Sequence, residues 1–154
     1  MPLTATGSDI ENLVIADFLA LLTAGGLTAV AGQQVEADAA VVYPRVVVDA
    51  EGVADAMQGG GGEPTGIYRV ELACTCETQA GDAATDDATG AAMKTILGQV
   101  RDLLHVDDLV AQLNALAHAH YHGCIGAGAD RSNDGRLRLG QIRFSVIVQP
   151  GIPS

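Results

Sequence analysis

Tryptophan is absent from this chain of 154 residues, and all aromatic residues together make up 3% of it. A hydrophobic core therefore has to be built from valine, leucine, isoleucine and alanine. Basic residues are also scarce: 8 lysines and arginines stand against 19 aspartates and glutamates, which gives a formal net charge of −11. Because phosphate contacts need clustered basic side chains, this balance argues against a protein that grips nucleic acid.

Long apolar runs and a cysteine framework are missing as well. No stretch of about 18 apolar residues occurs, so we expect no membrane span. Three cysteines are too few, and odd in number, for a disulfide scaffold, which favours a reducing compartment. Apolar residues still make up 48% of the chain and charged residues 18%, as is typical of a folded domain. The length suits one domain over residues 1–154, with flexible ends at 1–8 and 150–154.

Apolar residues at helical spacing predict two or three helices. Residues 9–24 form the first helix, and Gly25 and Gly26 end it. The second helix is predicted over residues 88–104, and a shorter one begins at Asp107. Each has an apolar stripe on one side, so each is expected to pack on a sheet.

Alternating polar and apolar residues predict the strands. Residues 66–78 show the clearest alternation in the chain. A shorter strand at 41–48 contains Pro44, which cannot donate a ladder hydrogen bond and so lies at a sheet edge or at the start of the strand. Residues 49–66 are expected to form a mobile loop, because they contain the glycine tract Gly59–Gly62.

The last third of the chain returns to strands. Residues 130–135 are expected to form a hairpin turn and 136–149 a long strand. The apolar positions change phase around Gly140, which predicts a bulge there. Because helices do not alternate with strands one for one, a doubly wound parallel sheet is disfavoured. We expect an α+β domain, with a mostly antiparallel sheet of about four strands and two or three helices packed on one face.

One group of residues has the chemistry of a metal site. His118, His120, His122 and Cys124 are spaced two apart and would project from one face of a strand. Nitrogen and sulfur ligands suit zinc, and a neighbouring strand with two further cysteines would complete such a site. If the segment instead continues the preceding helix, His118 and His122 lie one turn apart and His120 turns away.

The commoner explanation of this pattern is an exposed polar strand face beside buried thiols, so we predict no metal and no cofactor. The cysteines Cys74 and Cys76 share the apolar side of their strand, which makes them poor nucleophiles. The glycine tract is not followed by the lysine and hydroxyl residue of a phosphate loop. We therefore predict no catalytic residues and do not expect an enzyme.

The remaining hypothesis is a protein that binds copies of itself. The side of the sheet away from the helices carries charged residues of both signs, which suits contact with a second copy. The candidates for this oligomer interface are Arg45, Arg69, Glu71, Glu77 and Arg143.

Several short segments follow one another in a recognisable order. They are the helix ending at Gly25-Gly26, Tyr43-Pro44-Arg45-Val46, Ile67-Tyr68-Arg69-Val70-Glu71-Leu72, the helix over 88–104, and Asp134-Gly135-Arg136 leading into Arg143-Phe144-Ser145-Val146-Ile147-Val148. This order resembles the tail terminator, or tail completion, proteins of long-tailed bacteriophages. The resemblance covers most of residues 9–149.

The resemblance implies a structural virion protein. Such proteins form a homo-oligomeric ring of six subunits that caps the tail tube and joins it to the head–neck connector. DNA passes through the lumen without specific binding, and the ring is assembled in the host cytoplasm. An acidic lumen would repel DNA and let it slide. Two alternatives stay open: another phage neck or connector protein of similar topology, and a small metal-binding protein that uses the His/Cys cluster.

Overall fold

The structure, a computed structural model, describes residues 7–32, 44–55, 67–79, 91–126, 130–134 and 137–150. Its elements in chain order are α1 (Gly7–Ala24), β1 (Ala29–Ala31), β2 (Arg45–Asp55), β3 (Tyr68–Gln79), α2 (Ala91–Leu103), α3 (Val106–Ala115), β4 (Ala119–Gly126), β5 (Asp130–Asp134) and β6 (Leu137–Pro150). The strands form one sheet in the order β1-β2-β3-β6-β4, and β5 also pairs with β6. The pairing of β1 with β2 is parallel and the others are antiparallel. The α+β prediction is confirmed, and the described residues form six strands instead of about four.

The three helices of the described residues pack on one face of the sheet, which we call the helix face. It carries the even-numbered residues of β3 and β6, and Phe18 of α1 meets Phe144 there with ring centroids 5.5 Å apart, edge to face. Both side chains are buried, and burying one such side chain contributes about 1.5–3 kcal/mol. The apolar stripes predicted for the helices are buried in the same core.

The end of α1 explains how the chain turns into the sheet. Gly26 has a φ of +89°, a backbone conformation that favours glycine. Its amide donates to the Thr23 carbonyl, and the Leu27 amide donates to the Leu22 carbonyl, which is the Schellman arrangement. The predicted stop at Gly25-Gly26 is confirmed. The beginning differs, since Gly7 and Ser8, expected in a flexible end, are the first residues of the helix.

Strand β2 is longer at one end than the sequence predicted. It begins directly after Pro44, so of the two positions considered for this proline the start of the strand is confirmed. It continues to Asp55, so residues 49–55 are strand and not loop, while 56–66, including the glycine tract, lie outside the described residues. The strand keeps its pairing with β3 through an irregularity between Ala50 and Gly52.

The predicted bulge at Gly140 is wrong. The register between β3 and β6 runs without a shift from the Tyr68–Val148 pair to the Gln79–Leu137 pair. Gly140 is a buried position on the helix face, and a Cβ there would lie 2.6 Å from the Met93 sulfur. The alternation of apolar residues is interrupted at Gly140 because helix α2 lies so close to the sheet there that a side chain would not fit.

The segment at 130–134 is also a strand, although the sequence predicted a turn there. Asp134 pairs with Leu137, so β5 and β6 form a hairpin whose two connecting residues, 135–136, lie outside the described residues. Helix α3 starts one residue earlier than predicted. The imidazole of His105 accepts a hydrogen bond from the Asp107 amide and so caps the N-terminus of α3.

Candidate functional site

The face of the sheet opposite the helices is the candidate interaction surface, and we call it the open face. It carries the odd-numbered residues of β3 and β6, together with the residues paired with them on β2 and β4. None of the three described helices packs on it. Its charged, polar and apolar side chains are intermixed, as expected where a strand face meets either water or a polar partner.

Two half-exposed ion pairs lie on the open face. Arg69 approaches Glu71 to 3.4 Å, and the same carboxylate accepts a hydrogen bond from the Ser145 hydroxyl at 3.2 Å. Arg143 approaches Glu51 to 3.5 Å although β3 lies between their two strands. These side chains are 41–56% exposed, so a second chain can reach them.

The contact between Arg143 and Glu51 explains why Ala73, a residue of the open face, is buried. Ala73 lies opposite Arg143 on the open face, yet it is 4% exposed. The side chains of Arg143 and Glu51 span β3 and shield this small residue from water. The open face therefore carries paired charged side chains, and one of these pairs crosses β3.

The other two interface candidates are placed differently. Arg45 Nε lies 2.5 Å from Glu77 Oε1, and the two side chains are 12% and 14% exposed. They form an internal ion pair that presents little surface to another chain. Of the five predicted interface residues, the structure thus leaves Arg69, Glu71 and Arg143 accessible.

Apolar side chains accompany the ion pairs on the open face. Ile125 is 74% exposed and is the exposed large hydrophobic residue among those the structure describes. It lies opposite Ser145 on β6, and Ile147, partly buried, is the next residue along β6 on the same face. Leu139 and Val47 are also partly buried there. Of these residues, Ile125 and Ile147 lie close together and give the open face an apolar position next to its ion pairs.

The predicted His/Cys cluster is divided between the two faces. The pairing of β4 with β6 shifts between Tyr121 and Gly123, so one extra residue, His122, enters the strand as a bulge. After the bulge the alternation is reversed, and Cys124 packs against the core while His120 and His122 are exposed. The expectation that all four side chains share a face is wrong. The alternative of a continued helix is also wrong, since α3 ends at Ala115.

His118 takes part in a buried hydrogen-bond network that the sequence analysis missed. The carboxylate of Asp17 on α1 is fully buried, and its Oδ2 accepts from the Tyr121 hydroxyl at 2.6 Å. Its Oδ1 lies 2.5 Å from His118 Nδ1, and the His118 side chain is 59% exposed. A buried carboxylate needs such partners to offset its desolvation. The signal in the sequence was an aspartate within the apolar stripe of α1.

Helix α3 secures the same network from the other side. The Asn114 side-chain amide accepts from the Tyr121 backbone amide at 2.7 Å and donates to the Tyr121 carbonyl at 3.1 Å. The Asn114 side chain thereby supplies hydrogen-bond partners for the Tyr121 amide and carbonyl, as a neighbouring strand would. Burial, reinforced by the hydrogen bond to Asp17, raises the pKa of Tyr121 well above its usual range.

The cysteines do not form a reactive group. Cys74 and Cys76 are buried on β3, which is separated from β4 by β6, so the two strands are not the neighbours that a shared metal site required. Burial raises the pKa of Cys76 and of Cys124 to about 12, and that of Cys74 further still. These thiols are protonated at neutral pH. No group of three or more His, Cys, Asp or Glu side chains suited to a metal occurs among the described residues.

Comparison with known proteins adds no family assignment. No family model matches the chain, and no curated protein matches it. Across the described part of the chain, none of the helices has the length and apolar character needed to span a membrane.

Proposed function

We propose that this chain is a tail terminator protein of a long-tailed bacteriophage. Its copies form a ring, of six subunits in the family it resembles, which caps the tail tube and joins it to the head–neck connector. DNA passes through the lumen without specific binding, in keeping with the net charge of −11. The observation that carries the proposal is the open face, with its half-exposed ion pairs and the exposed Ile125.

The charges of the open face suit a contact between identical subunits. Each copy offers both signs, with Arg69 and Arg143 as bases and Glu71 and Glu51 as acids. Exposed ion pairs of this kind contribute little within one chain, about 0–1 kcal/mol. The same groups can exchange partners across an interface, where charge complementarity fixes register and speeds association.

The apolar side chains of the open face would contribute the favourable free energy of burial that the ion pairs do not. A stable contact needs apolar area to be removed from water, at roughly 25 cal/mol per Å². Ile125 and Ile147 lie on the same face as the ion pairs and are near one another in the pairing of β4 with β6. We therefore place the apolar centre of the subunit contact at Ile125 and its charged rim at Arg143 and Glu71.

The proposal is tested by adding purified protein to tail tube protein of the same phage while it polymerises. Capping shortens the tubes in proportion to the protein added, and electron microscopy shows a ring at one tube end. Arg143→Glu and Ile125→Asp should abolish the effect while leaving the circular dichroism spectrum unchanged, because both side chains are exposed. Lys94→Glu, an equal charge change on the exposed surface of α2, is the matched control and should retain full activity.

An unchanged distribution of tube lengths at excess protein contradicts the proposal. Binding to the head connector without any effect on tube length would assign the chain to another neck or connector protein. If Lys94→Glu is as inactive as Arg143→Glu, the open face is not the subunit contact.

A further inference from the structure

His120 and His122 are not among the side chains assigned to the proposed ring contact, and their rings form a pair of their own. Both are exposed at the edge of the sheet, on β4. Their rings meet edge to face with centroids 4.4 Å apart, at an angle of 81°. Since neither side chain contributes to the core, both can rotate without disturbing the fold.

Gln149 determines which nitrogen of His122 is available. Its side-chain oxygen lies 3.2 Å from His122 Nε2, so Nε2 carries the proton and donates to it. In the neutral imidazole the other nitrogen, Nδ1, then keeps its lone pair. Histidines that bind metals commonly hold their second ring nitrogen in this way, which fixes the tautomer and the ring orientation.

We propose that His120 and His122 form a two-imidazole binding site for a divalent transition-metal ion such as Zn²⁺, with Gln149 positioning His122. Imidazole nitrogen is a preferred ligand of zinc, copper and nickel. Two imidazoles on one tetrahedral ion, each with a nitrogen–metal distance of about 2.0–2.1 Å, have ring centroids roughly 5 Å apart. The observed separation is within a small side-chain rotation of that arrangement.

The site takes two ligands from this chain. His118 is held by Asp17, and Cys124 packs against the core on the other side of the bulge. Water completes the coordination of the ion in the isolated protein. A site with two protein ligands and solvent at its other positions exchanges its metal readily, unlike a closed structural zinc site.

Isothermal titration of the full chain with ZnCl₂ tests the proposal. We expect saturable binding of one ion per chain. His120→Ala and His122→Ala should each weaken binding at least ten-fold, and both should melt at the temperature of the unchanged protein because the side chains are exposed. The matched control is His105→Asn, which removes an exposed imidazole at the start of α3 while keeping a side chain that can cap the helix.

The role of Gln149 has its own measurement. Gln149→Leu leaves both ligands in place and should weaken binding about ten-fold. Nitrogen-15 NMR of the imidazoles should show zinc on Nδ1 of His122. Zinc on Nε2, or an unchanged affinity in Gln149→Leu, would remove Gln149 from the site.

The absence of saturable binding overturns the proposal as a whole. So does equal affinity in His120→Ala, or a loss in His105→Asn as large as in His122→Ala, since zinc would then bind surface imidazoles without selection. None of these results bears on the ring, whose test measures tube length.

Discussion

Replacing Tyr121 by phenylalanine removes one hydroxyl from the interior and leaves the aromatic ring in place. In the structure this hydroxyl donates to Asp17 Oδ2 at 2.6 Å, and Asp17 is fully buried on α1. The carboxylate would keep His118 on its other oxygen and have no protein donor among the described residues at the position vacated. The change therefore tests whether the hydrogen bonds of Asp17 stabilise the contact between α1 and β4.

The expected cost follows from the type of bond that is lost. A hydrogen bond to a charged group contributes about 1.5–3 kcal/mol, and a buried group left without its partner loses the full desolvation term. For a domain of this size 1 kcal/mol corresponds to about 2–4 °C in melting temperature, so we expect a fall of about 3–12 °C. In urea the midpoint should fall while the slope m stays constant.

Tyr68→Phe is the matched control, since Tyr68 is partly buried on β3, on the far side of β6 from β4, and the described residues offer its hydroxyl no hydrogen-bond partner. We expect a loss of less than about 0.5 kcal/mol there. If Tyr121→Phe is as stable as Tyr68→Phe, the hydroxyl of Tyr121 contributes nothing to the fold. The reasoning about the buried carboxylate would then be refuted.

Three further changes test other features of the fold. Gly140→Val places a branched side chain against Met93 and should cost about 1–3 kcal/mol in urea denaturation; a neutral result would mean that α2 moves away at little cost. Ala117 has a φ of +62°, so Ala117→Gly should raise stability by about 0.5–1 kcal/mol, and a loss of stability would contradict that strain. Burial raises the pKa of Cys76 to about 12, so the unfolded chain releases this thiol's proton first as the pH rises. Below about pH 8.5 this thiol does not change the free energy of unfolding with pH. Between there and about pH 12 it should lower that free energy by about 1.4 kcal/mol per pH unit. Urea titrations with reductant present should show a shallower fall for Cys76→Ala.

The parts of the fold that the sequence predicted are those in which one periodicity runs without interruption. In β3 every second residue from Val70 to Cys76 is buried, as the alternation predicted. In α1 the stripe that includes Ile10 and Phe18 is buried for the same reason. In both elements a single face meets the core over the whole length, so the sequence pattern and the packing have the same period.

The two short strands, β1 and β5, escaped prediction. Strand β1 has three residues, too few to show any period. Strand β5, Asp130–Asp134, is polar throughout and is a strand because β6 extends beyond β4 and offers it a partner. For Gly140 the missing side chain reflects α2, which approaches from a distant part of the chain. In each case the cause is a tertiary neighbour that the local sequence does not reveal.

The bulge at His122 shows how one residue can reverse a prediction about a site. The spacing of His118, His120, His122 and Cys124 is regular in the sequence, and a regular strand would have placed all four together. Insertion of one unpaired residue moves Cys124 to the core and leaves the imidazoles outside. Tyr121 precedes the bulge and is fixed on both sides, by the Asp17 carboxylate at its hydroxyl and by the Asn114 amide at its backbone. Since the residue before the bulge is held so firmly, the irregularity in the strand has to be taken up after it, at His122. The same contacts that bury Asp17 therefore leave His120 and His122 side by side at the edge of the sheet.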